Sequence, residues 1–162
     1  MNREFEAFVQ ANFNSGASLA IETTLRSTIT FEQARLARLH GFRVVMAYVA
    51  LDTAEQHIER VKRRAARGGH SASESTLRRI NACSLRNLPM ALSPAKSGIE
   101  LVRIYDNSRS ESRPRLALES RRGRIVWLAA EFPRWLQRAL RWTDRDLDRH
   151  RRELARRADL GR

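Results

Sequence analysis

Lysine is nearly missing from this chain: Lys62 and Lys96 are the only two among 31 basic residues. Against 18 acidic residues they leave a formal net charge of +13, carried almost wholly by arginine. An arginine skew of this kind follows from GC-rich coding without any selection for phosphate contacts. The arginines are also spread along the chain, although residues 134–162 are richest. Both features count against nucleic acid as the main partner. Cysteine is reduced to Cys83. That excludes an internal disulfide and suits a reducing, cytoplasmic compartment. At a helical position a lone cysteine reads as a small packed hydrophobe. The longest apolar run, Val44 to Leu51, is too short to cross a bilayer, so no membrane partner is expected. Residues 1–20 carry Glu4 and Glu6 and no continuous apolar stretch, which argues against a signal peptide. A phosphate-cradling G-x-x-x-x-G-K-[ST] loop is absent as well. Lys62 stands between Val61 and Arg63, and Lys96 follows Ala95 with no glycine at the required distance.

What remains is enough for one folded domain: 162 residues, 42% of them hydrophobic. Phe5, Phe8, Val9 and Phe13 make a helical stripe over residues 2–14, closed by Ser15-Gly16. SLAIE, residues 18–22, reads as a short buried strand with polar TTLRS at its carboxyl end. Residues 28–40 predict a second helix stopped by Gly41. FRVVMAYVAL, 42–51, is apolar on both faces, the pattern of an interior strand in a parallel sheet. Asp52 and Glu55 look like the start of a helix over 53–66, ended by Gly68-Gly69. Ser73 caps a further helix to about Arg86, and Pro89 opens a short one through Ala95. IELVRIY, 99–105, is a third strand, and LALES and RIVWLAA form a hairpin around Arg121-Arg122-Gly123. Pro133 opens a helix with Trp135, Leu136 and Leu140, and 143–158 is a very polar terminal helix. Alternating strands and helices predict an α/β fold with a mainly parallel sheet flanked by helices, its ligands held beyond the carboxyl ends of strands.

Two clusters carry chemistry. Glu22, Thr24 and Arg26 follow the SLAI run at alternate positions. A carboxylate, a hydroxyl and a guanidinium so placed suit sugar hydroxyls and a diphosphate, or else a plain structural ion pair. Arg60, Arg63, Arg64 and Arg67 recur at helical spacing before Gly68-Gly69 and His70, with Arg78-Arg79 beyond. Arginines on such a segment could close on a phosphoryl group or could form a solvated helix face. His70 could carry a proton or simply cap a turn.

ETTLRS, GFRVVMAYVALD, ERVKRRAARGGH, SLRNLP and IYDNS stand in the order and spacing of the zeta-toxin family, which the chain resembles over residues 12 to about 120. The resemblance implies a partial P-loop kinase-like domain over 1–130, with 131–162 as a basic helical extension. It implies ATP and Mg²⁺ as cofactors, UDP-N-acetylglucosamine or a similar sugar nucleotide as acceptor, and an antitoxin protein as a partner. Glu22 and Thr24 would hold the acceptor with Arg26 beside them. Arg60, Arg64 and Arg78 would contact phosphates. Departures accompany the match: Ala72-Ser73-Glu74 and Ile80 and Cys83 stand where the family places Val-Pro-Glu and arginines. The family's strand, glycine-lysine loop and aspartate base precede its ETT motif and find no counterpart here, so the resemblance implies a domain truncated at its N-terminus. Loss of a single preorganised donor commonly costs about 10²–10³ in rate. With cradle, metal site and base all missing, no catalytic residue is assigned and no turnover by these residues is expected. Two alternatives stay open: a non-catalytic acceptor- or antitoxin-binding module, and an arginine-rich helix binding nucleic acid over Arg134 to Arg162.

Overall fold

Apolar periodicity becomes architecture in the computed structural model, which describes residues 3–69, 72–109 and 113–160. In chain order these form α1 (Arg3–Ser15), α2 (Ile29–Leu39), β1 (Val45–Ala50), α3 (Ala54–Ala65), α4 (Glu74–Ala91), α5 (Pro94–Ser97), β2 (Leu101–Asp106), β3 (Arg115–Arg121), β4 (Arg124–Leu128), α6 (Arg134–Leu140) and α7 (Asp144–Leu160). The four strands make one sheet in the order β1-β2-β3-β4. β1 and β2 are parallel, because three helices intervene between them. β2–β3 and β3–β4 are antiparallel, so the sheet is mixed and not mainly parallel as the sequence suggests.

The expected hairpin is real, and its turn explains itself. Arg122 and Gly123 both adopt positive φ (50° and 77°), as a two-residue primed turn requires. The turn tucks inward: Arg122 N donates to Glu100 O at 2.7 Å. A Cβ on Gly123 would lie 2.9 Å from Pro94 Cδ.

Register decides which face is buried. Met46 opposes Val102 and Tyr48 opposes Ile104, so these side chains share one face of the sheet. Tyr48, Ala50, Val102, Ile104 and Leu118 pack there against Phe31 of α2, Leu88 of α4 and Trp135 and Leu136 of α6. Within residues 131–162, α6 joins this core through Trp135, Leu136 and Leu140, whereas α7 lies against β4. Gly98, at φ +75°, lets this layer close: a Cβ there would sit 2.6 Å from Arg35 N.

On the opposite face Arg103 and Glu119 oppose each other directly. Arg103 Nε and Arg121 Nε donate to the two Glu119 oxygens at 2.8 and 2.7 Å. Those two donors, Arg103 first, hold the Glu119 carboxyl below the usual carboxylate range.

Three local expectations need correction. Residues 18–22 form no ladder; the segment is irregular and mostly exposed, since no described strand lies beside it to accept its backbone bonds. Thr53, not Asp52, caps α3: its hydroxyl accepts from Gln56 N at 3.2 Å. Pro89 opens no new helix but sits inside α4, whose Ser84, Leu88 and Ala91 are buried on either side of it. Packing of those residues holds the helix through the proline.

Candidate functional site

Leu25 is the anchor from which the loop after residue 22 is built. Its side chain is 1% exposed and its φ is +54°, a conformation costly for a leucine. Asn87 Nδ2 of α4 donates to Leu25 O at 3.0 Å, and Leu25 N donates to Thr23 Oγ1 at 3.3 Å. Thr23 and Thr30 hydroxyls lie 3.1 Å apart, tying the loop to the first turn of α2. The buried leucine turns the backbone so that Glu22 and Thr24 line an open groove of about 890 Å³.

The groove runs between this loop, α1, α2, β1, α3 and α4, and Arg64 of α3 lines it too. Glu22, Thr24 and Arg64 are thus brought to one cavity from two segments far apart in sequence. Arg64 is placed by the turn that ends α3. Gly68, at φ +88°, donates through N to Ala65 O, and Gly69 N donates to Arg64 O, both at 3.0 Å. Gly69 lies so close that a Cβ there would sit 2.8 Å from Arg64 Cγ.

The other candidates go elsewhere. Arg26 is exposed and outside the groove lining. Arg60 Nη2 donates to Asn107 O at 2.7 Å, fastening α3 to the carboxyl end of β2. Arg78 pairs with Glu55 across α3 and α4, as Lys62 does with Glu74 at 2.6 Å. Neither Arg60 nor Arg78 lines the groove. His70 lies outside the described residues. Asp106, in the IYDNS segment, is also spoken for: its Oδ1 accepts from Trp135 Nε1 at 3.0 Å and from Ser108 N and Oγ at 3.2 and 2.5 Å.

The structure adds groove residues that no sequence pattern marked. Tyr48 and Ser84 hydroxyls meet at 2.9 Å, and burial pushes the Tyr48 phenol up. His57 is half-buried and its Nε2, sealed from solvent, has no hydrogen-bond partner among the described residues. Burial and then the Arg60 charge lower its pKa, so the imidazole is neutral at pH 7. Thr23, Thr30, Gln33, Arg43 and Asn81 add to the polar lining. None could be found without knowing that β1 faces α3 and α4.

Among the described residues no group of three or more His, Cys, Asp or Glu is placed to hold a metal ion. Without a glycine loop either, the residues present do not fit a magnesium-bound triphosphate. The arginines of α7 are partly committed: Arg151 Nη2 donates to Ala130 O at 2.7 Å, Arg157 Nη1 to Ile125 O at 3.1 Å, and Arg149 pairs with Asp146 at 2.8 Å. Among the described residues no helix is long and apolar enough to cross a membrane. No family model, curated protein or solved structure matches the chain.

Proposed function

We propose that this chain is the acceptor-holding portion of a zeta-toxin-like kinase. It binds UDP-N-acetylglucosamine or a similar sugar nucleotide in the groove, and these 162 residues transfer no phosphate by themselves. One observation carries the reading: Glu22, Thr24 and Arg64, from two segments that the resemblance implicates independently, line the same cavity. Glu22 would accept hydrogen bonds from sugar hydroxyls or an amide N–H, Thr24 would serve as donor or acceptor, and Arg64 would meet the diphosphate. The volume of about 890 Å³ lies in the range of small-molecule sites. ATP and Mg²⁺ enter only through the resemblance, and no step is routed through them.

Calorimetric titration with UDP-N-acetylglucosamine tests the reading. Saturable heat is expected, reduced at least about tenfold in affinity by Glu22→Gln or Arg64→Ala and unchanged by Arg26→Ala. Absence of heat and of any thermal shift, or equal binding by all three variants, overturns it. Phosphorylated acceptor formed from ATP by the purified chain would overturn the statement on transfer.

The geometry favours this over nucleic-acid binding by the basic helix, because Arg151 and Arg157 are spent on backbone carbonyls of the body. It brings no comparable support to an antitoxin as partner.

A further inference from the structure

A second cavity, of about 480 Å³, opens where β2 ends, β3 begins and β4 runs toward α6. It shares no lining residue with the groove, so the site is independent of the acceptor reading. Part of its lining is apolar: Leu116 and Pro133 stand there with Trp127, a residue 41% exposed. The charged part is Asp106, Arg109, Arg115 and Glu131, two carboxylates and two guanidinium groups whose formal charges cancel.

Asp106 is satisfied at one oxygen only. Its side chain is 10% exposed, and Oδ1 accepts from Trp135 Nε1, Ser108 N and Ser108 Oγ. A carboxylate has about four acceptor positions spread over its two oxygens. Oδ2 receives no hydrogen bond among the described residues; Arg115 Nη2 stands 3.8 Å from it, beyond hydrogen-bond reach. Register sets this gap, since Arg115 at the start of β3 lies opposite Asp106 at the end of β2. On its other side Arg115 Nη1 is 3.6 Å from Glu131 Oε2, again too far for a hydrogen bond. Glu131 is itself 77% exposed and shared with Arg109 at 3.3 Å. A held acceptor and a donor fork 3.8 Å apart, beside apolar surface, match a zwitterion. An ammonium can take the open position on Oδ2 at about 2.8 Å, while a carboxylate on the same carbon meets the Arg115 fork. An anion alone would face the bare Oδ2, and a cation alone would face the Arg115 charge.

We propose that this second cavity binds a free α-amino acid with an aromatic side chain. Its ammonium donates to Asp106 Oδ2, its carboxylate accepts from Arg115, and its ring lies against Trp127 beside Leu116 and Pro133. The volume of about 480 Å³ falls within the range of small-molecule sites.

The probes are L-phenylalanine, L-phenylalaninamide, which lacks the carboxylate, N-acetyl-L-phenylalanine, which lacks the ammonium, and L-alanine, which lacks the ring. Binding is read from the indole N–H resonance of Trp127, assigned by its loss in Trp127→Phe. A saturable shift with L-phenylalanine is expected, and at least about tenfold weaker binding of each of the others. Arg115→Gln should lower the affinity for L-phenylalanine and erase its advantage over the amide. Asp106→Asn keeps an oxygen for Trp135 and Ser108, so it should erase the advantage over the N-acetyl compound with the Trp135 indole resonance in place. Should Asp106→Asn unfold, Arg115→Gln, at an exposed residue, decides alone. No saturable shift up to ~10 mM L-phenylalanine overturns the proposal, as does equal binding of all the probes. Tightest binding by the N-acetyl compound overturns it in favour of an anion site, and tightest binding by the amide in favour of a cation site.

Discussion

Leu25 offers a test in which the gap between two substitutions, and not merely the size of either, is at stake. Truncation to alanine removes a side chain that is 1% exposed, in the core cluster that also holds Phe31 of α2 and Leu88 of α4. Leucine-to-alanine changes at such sites cost about 2–5 kcal/mol. At ordinary backbone angles glycine would be worse still, by about 0.5–1 kcal/mol, because the unfolded chain gains freedom. Here φ is +54°, where an L-residue bears a penalty of about 1–2 kcal/mol that glycine escapes. Relief of that strain offsets both the entropy term and the roughly 0.8 kcal/mol of the lost buried methyl, so Leu25→Gly should be about as stable as Leu25→Ala, where about 1.5 kcal/mol less is expected at ordinary angles. Urea denaturation of both variants, compared at a common slope, measures the difference directly. Leu25→Gly falling about 1.5 kcal/mol below Leu25→Ala would refute the claim that this residue holds the loop under strain. Under the proposed function both variants should also weaken acceptor binding, since Glu22 and Thr24 adjoin the same turn.

Acid sensitivity should trace to Glu119. Its folded pKa is depressed by Arg103 and Arg121, so the stabilisation is present above the unfolded carboxylate range and fades as pH falls through the folded value. In thermal melts from pH 6 downward, Glu119→Gln should flatten the acid limb, and an unchanged slope would contradict the assignment. Gly98→Ala should be among the most damaging single-methyl additions in the chain. The new Cβ would lie 2.6 Å from Arg35 N and 2.7 Å from Arg35 Cα, inside the backbone of α2, a closer approach than the 2.9 Å between a Cβ on Gly123 and Pro94 Cδ. A melting temperature for Gly98→Ala at or above that of Gly123→Ala would show the α2 contact to be loose.

Most helices and the hairpin were legible because their signals are local. Thr28 and Gly41 bracket α2, Ser73 caps α4 through Thr76 N, and Arg122-Gly123 is a turn on its own terms. Strand 18–22 was overread, since an apolar run specifies a strand only when a neighbour offers it a ladder. Pro89 stays inside α4 because burial of Leu88 and Ala91, invisible in sequence, outweighs the local preference for a helix start. At the site, the resemblance implies six side chains, and three of them, Glu22, Thr24 and Arg64, line one groove. Arg60 and Arg78 are drawn off by Asn107 O and Glu55, partners set by how α3 meets its neighbours. His57 and Tyr48 gave no signal in sequence, because burial beneath the loop is what distinguishes them.

The mixed sheet also sets an order of assembly. The β3–β4 hairpin closes across two residues and can form within microseconds. Val45 finds Leu101 only after a long intervening stretch of helices has collapsed, and long-range pairings of this kind are slow. β1 is thus the last strand to be captured, and until then both of its hydrogen-bonding sides are bare. Nascent chains should be most prone to clump at VMAYVA during that interval.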